Sequence, residues 1–134
     1  MEFEVTDVDH VAVRVSDVDE ALAFYHGLLG LAIRDREAFE AGELPFVAVV
    51  AGGRHIHLFP TDERVEPGPE HVCLLLRCDE TDTRWAMDEL LSGLRAAGVE
   101  VEADEPAERL GAYGRDWAAY VRDPDGRIVE LKLH

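Results

Sequence analysis

Cysteine is scarce in this chain of 134 residues, lysine scarcer still, and long apolar runs are missing. The two cysteines, Cys73 and Cys78, stand five apart in what reads as one strand, so they face opposite sides and do not pair. That excludes a disulfide framework, and reduced thiols suit the cytoplasm. The chain does not open with a basic segment leading into an apolar one. Nor does any stretch reach the roughly 18 apolar residues of a spanning helix, so neither export nor membrane insertion is expected and a cytoplasmic location is. Low-complexity tracts are missing too, and 47% hydrophobic content describes a globular chain, of a length suited to one domain.

Positive charge is in short supply. Against 29 acids stand 13 bases, of which Lys132 is the only lysine, and the net charge is −16. Nucleic acid and anionic membranes are repelled by such a surface, so neither is expected as a partner. The excess of acid predicts a halophilic protein, since molar salt screens self-repulsion to within a few ångströms; an ordinary acidic protein from an arginine-rich proteome is the alternative.

What is present is a repeat. Residues 8–15 alternate as a strand, with Val11, Val13 and Val15 on one face and His10, Ala12 and Arg14 on the other. The period then turns helical through Val18, Ala21, Leu22, Tyr25, Leu28 and Leu29, with Asp17 and Glu20 as a capping pair and Gly30 as the stop. Strands are predicted near 31–37, 45–51 and 54–60, the last two joined by Gly52-Gly53. A proline-rich linker follows. Residues 71–77 alternate again, and an acidic run opens a second helix whose apolar face is Met87, Leu90, Leu91, Leu94 and Ala97, ending at Gly98. Strands are predicted near 99–102, 116–122 and 127–133, the last fed by the turn Asp123-Pro124-Asp125-Gly126. Residues 103–115 read as a connection or as a mobile flap.

The order βαβββ is thus written twice: one domain over 1–134, with module one at about 5–60, a linker at 61–69 and module two at about 70–134. The expected fold is α+β, two βαβββ modules forming a cupped mixed sheet with helices on its outer face. Repetition pairs positions. His10 corresponds to His71 in the first strands, and His57 to Glu130 in the last, each opposite its strand's aliphatic face. If the modules share a curved sheet, all four converge. His26, His55 and His134 have no such counterpart and read as surface or packing residues.

Asp9-His10-Val11, the run from Phe24 to Leu31 containing Tyr25-His26-Gly27, the Asp123–Gly126 turn and Glu130-Leu131 together resemble the vicinal oxygen chelate family, which includes glyoxalases, bleomycin-binding proteins and extradiol dioxygenases. The resemblance spans nearly the whole chain. It implies a divalent metal (Zn, Ni, Fe, Co or Mn) held by His10, His57, His71 and Glu130, a small-molecule substrate, and a homodimer. Glyoxalase-like relatives usually carry Glu or Gln at the His57 position, while thiol transferases and ring-cleaving enzymes use only three positions. His57 is therefore either a fourth ligand or an acid/base. Fosfomycin enzymes have Thr where Ala12 stands and a basic segment after the last Glu, so that subgroup is not expected.

Imidazole and carboxylate ligands suit metals that polarise bound oxygens. The expected activity is of glyoxalase type, a metal-dependent lyase or isomerase acting on a small substrate chelated through adjacent oxygens, with Glu130 or His57 moving the proton. An Fe(II) ring-cleaving dioxygenase and a non-catalytic drug- or metabolite-binding protein are the alternatives. Tyr120, ten residues before Glu130 as in some relatives, is a candidate substrate contact or a packing residue. Arg14 and Arg77 share faces with His10 and His71, which suggests an anionic substrate, though strand-end arginines are commonly just solvated. Cys73 either lines the cleft or is inert.

Overall fold

Strand alternation and two helix-forming runs give eight strands and three short helical stretches in the computed structural model, which describes residues 1–102 and 106–134. The chain divides into two compact units, residues 1–65 and 66–134. In the first, β1 (His10–Val15) leads to α1 (Val18–Leu22), β2 (Ala32–Arg34), α2 (Arg36–Glu40), β3 (Val47–Ala51) and β4 (Arg54–Pro60). The second holds β5 (Val72–Leu76), α3 (Thr83–Ala96), β6 (Ala107–Gly111), β7 (Gly114–Arg122) and β8 (Ile128–Leu133). Sheet orders are β1-β4-β3-β2 and β5-β8-β7-β6, with the first pair parallel and the others antiparallel in each. This is an α+β protein of glyoxalase-like fold, two βαβββ modules with mixed sheets.

In the first unit Asp17 caps α1 by accepting the Glu20 N–H at 3.0 Å. Beyond Leu22 the expected helix continues as a π-helical stretch over Ala23–Leu28, which buries Phe24 and Tyr25, and Gly30 ends it at φ +77°. The strand expected near 31–37 stops at Arg34. Asp35 adopts a left-handed conformation (φ 63°), open at low cost to Asp, and α2 begins in its place. Its helix-forming residues Arg36 and Glu40 pair at 3.0 Å. The core comprises Val15, Val47, Val49, Ile56 and Leu58 from the sheet, and Ala21, Leu22, Phe24 and Tyr25 from the helical segment.

In the second unit, residues 99–102 were expected to be a strand; they form only an isolated bridge, Val101 to Val121. The first strand after α3 is instead β6, at the edge of the sheet and inside the stretch read as a connection or flap. Residues 107–111 are laddered against residues 114–118 of β7, so this range is a hairpin rather than a plain connection, while 103–105 lie outside the described residues. Asp82 caps α3 through the Trp85 N–H, and Met87, Leu91 and Leu94 bury its apolar face, each stabilising by about 1.5–3 kcal/mol. Asp123 sets the entry to β8. Buried, it accepts the N–H groups of Asp125 and Arg127, both at 2.9 Å, and pairs with the Arg127 guanidinium at 2.9 Å. Gly126 supplies the positive φ of that turn. No helix among the described residues is long and apolar enough to cross a membrane.

Candidate functional site

In the first unit the parallel register of β1 and β4 sets His10 beside His55 and Ala12 beside His57, all on the face opposite Val11, Val13, Ile56 and Leu58. His57 is sandwiched. On one side lies the His10 ring, with centroids 4.1 Å apart and planes 14° from parallel; on the other lies Phe46, at 4.0 Å and 9°. His10 also meets the Asp9 carboxylate at 2.7 Å through Nδ1, and that hydrogen bond holds Asp9 below the ordinary carboxylate range. Partial desolvation, then the charges of His10 and His55, push His57 below the usual histidine range, which favours its neutral form. His55, read as a surface or packing residue, thus belongs to this cluster, its ring 6.0 Å from His57.

The stack constrains metal binding. An imidazole donates its lone pair in the ring plane, so a cation about 2 Å from a nitrogen lies in that plane. Two nearly parallel planes separated by a ring thickness share no such point. Only one of His10 and His57 can bind a given ion as they stand; joint ligation requires one ring to leave the stack.

In the second unit β8 carries Glu130 between Cys73 of β5 and Tyr120 of β7, all on one face. Glu130 is buried, unlike most glutamates, and its Oε2 lies 3.0 Å from Nε2 of His71, the residue just before β5. His71 Nδ1 meets the Pro69 carbonyl at 3.2 Å. Both ring nitrogens therefore face acceptors, so a proton bridges Nε2 and Oε2. A divalent cation can replace that proton. Atoms 3.0 Å apart match neighbouring ligands at about 2.1 Å from one ion, and the Nδ1–H to carbonyl bond is what orients a metal-binding histidine. Among the described residues no three His, Cys, Asp or Glu gather as a metal site.

Tyr120 stands across from Glu130, with its ring edge-on to His71 at 5.2 Å. Above it lies a residue the sequence did not single out, Arg109 of β6, its guanidinium carbon 4.4 Å from the Tyr120 centroid. Arg14 is exposed and bonds Glu63 at 3.0 Å, and Arg77 is exposed just past β5. Cys73 and Cys78 are both free thiols. Although Cys73 is exposed as a residue, partial desolvation and then the Glu130 carboxylate push its thiol up to about 11, a poor nucleophile.

The model of the Glyoxalase/Bleomycin resistance protein/Dioxygenase superfamily matches residues 7–131. Virulence protein STM3117 of Salmonella typhimurium is 28% identical over 134 residues, covering 95% of this chain and 83% of that protein. Its crystal structure superposes with a TM-score of 0.72 at 24% identity, over 98% of this chain and 99% of the other. A glyoxalase/dioxygenase from Nostoc punctiforme gives 0.70 at 18% identity, over 99% and 97%. The fosfomycin resistance protein FosX of Listeria monocytogenes gives 0.66, also at 18%, over 98% and 95%; such distant likenesses speak for the fold alone. The duplicated βαβββ order, the family match across almost the full length and these superpositions lead to one statement: the chain belongs to the Glyoxalase/Bleomycin resistance protein/Dioxygenase superfamily.

Proposed function

We propose that this protein is a metal-dependent enzyme of glyoxalase type, acting on a small oxygenated substrate chelated through adjacent oxygens. The observation that carries the reading is the His71–Glu130 pair, whose atoms sit 3.0 Å apart around a replaceable proton. In this reading His71 and Glu130 hold a divalent ion (Zn, Ni, Fe, Co or Mn), and His10 and His57 are the ligand candidates of the first unit. The ion supplies polarisation of substrate oxygens. Glu130, already a partner in a shared proton, removes one from the carbon beside a carbonyl, and a neutral His57 is the alternative base. Tyr120 lines the Glu130 face as a substrate contact, and Arg14 and Arg77 guide an anion from the margins. A homodimer is the proposed assembly, checked by light scattering.

A second reading draws on the His57 stack. A stacked His57 acts as a base rather than a ligand, and a set of two histidines and one carboxylate is the one Fe(II) oxygenases use, which makes ring cleavage the activity. Metal analysis of the purified protein comes first: about one ion per chain is expected, lost on Glu130→Ala. Hemithioacetal turnover with Ni or Zn then supports the first activity, and oxygen uptake with catechol and Fe(II) the second. Protein that stays metal-free under every loading condition yet binds organic ligands would make it a sequestering protein.

A further inference from the structure

Two cations on the Glu130 face of the second unit make no ion pair among the described residues. Lys132 follows Glu130 by two residues on β8 and shares its face, where its register partners are Leu75 and Ala118. It is buried to 3% exposure, and its Nζ meets only the Leu133 carbonyl, at 3.3 Å. Among the described residues it makes no ion pair, in a chain with 29 acids. An unpaired buried charge is costly and is usually either neutralised or used.

Arg109 repeats the pattern. Its Nε is buried and has no hydrogen-bond partner among the described residues. Asp116 stands directly across the ladder but makes no ion pair with it; one Asp116 oxygen instead accepts the Trp117 N–H at 2.8 Å. The guanidinium leans the other way, past the small Ala118, onto the Tyr120 ring. Stacking fixes its plane and leaves the donor edge for an oxyanion.

We propose that Arg109 and Lys132 form an anion subsite beside His71 and Glu130, so that the substrate carries a carboxylate a few bonds from the oxygens it presents to the metal. This rests on the metal-dependent reading above and narrows its substrate class. Between Arg109 and His71 lies a single tyrosine ring, contacted by both, which suits a small acid rather than a long conjugate. Lys132 lies against Gly111 of the β6–β7 hairpin: a Cβ there would come within 3.0 Å of the lysine stem.

The test compares 3,4-dihydroxybenzoate with catechol, which offer the same adjacent oxygens with and without a carboxylate, by calorimetry on Co(II)-loaded protein. The acid is expected to bind about tenfold more tightly or better, the worth of one charge-assisted pair. Arg109→Gln and Lys132→Met should each bring the ratio towards one, with Arg109→Lys between. Lys132→Met should also raise Tm by about 2–5 °C by removing an uncompensated buried charge, which a purely structural lysine would not do. A ratio near one in the parent protein, or a ratio unmoved in both variants, overturns the subsite and leaves the metal reading standing. If Co(II) does not bind, the metal reading fails by itself. Benzoate titrated into chelator-treated protein then decides the subsite: binding weakened in Arg109→Gln supports it, and no binding overturns it.

Discussion

The two units place different chemistry at equivalent positions. In the first, His57 is clamped between two rings; in the second, Glu130 shares a proton with His71. An imidazole packed against another imidazole resists gaining charge, whereas a carboxylate facing an imidazole invites a cation. Duplication therefore preserved the geometry of the strand face while the residues on it diverged: the second unit presents a hydrogen-bonded histidine–glutamate pair, and the first a stacked imidazole.

The sharpest way to break this contrast is to remove each anchor. Glu130→Ala or His71→Ala is expected to weaken metal binding by at least about a hundredfold in equilibrium dialysis, and His57→Ala by far less. Equal losses would mean that the stack opens readily and that the units are alike. Next in size is Phe46→Ala. Losing this half-buried ring should cost about 2 kcal/mol in urea unfolding without weakening metal binding, because it frees His57 rather than removing it.

A smaller effect concerns Cys73. Iodoacetamide at pH 8 should modify it about tenfold more slowly than a free thiol, since few thiolates form with a pKa near 11. Fast labelling would mean that the thiol is less desolvated than its place beside Glu130 implies. Smallest is a pH effect from the first unit. Because folding lowers the His57 pKa, protonation favours the unfolded chain, so its stabilising contribution is complete above the unfolded value of about 6.5 and fades as pH falls below it. Metal-free His57→Phe should show a flatter acid limb in Tm against pH. The acidic surface gives a control common to both units: Tm should rise between low and molar KCl if the protein is halophilic.

Much of this was legible in the sequence. Period-two alternation assigned His10, His57 and Glu130 to the faces they occupy, because a strand leaves no other choice once Ile56, Leu58, Val129 and Leu131 are buried. The repeat matched His10 with His71 and His57 with Glu130 and expected all four to converge; the contact of His71 with Glu130 joins two of them within one unit. The stack on His57 was not legible there, because ring contacts among β1, β4 and the residue before β3 depend on register and twist rather than on spacing. Arg109 escaped notice because Glu108-Arg109-Leu110-Gly111 has neither branched residues nor alternation; its strand forms by laddering onto β7. Likewise Asp35 diverts the chain through a single backbone angle that no periodicity records.

Strand β8 has one further implication. Val129 to Leu133 are buried without a break, so the backbone around Glu130 is shielded from water on both faces. Amide protons there should exchange with deuterium only through near-complete opening of the second unit, long after those at the β6–β7 hairpin tip, where Leu110 and Tyr113 are exposed. In the proposed metal-dependent reading the carboxylate meets an ion on a rigid platform, and the pace of ligand entry is governed by moving side chains instead of by melting the strand that carries it.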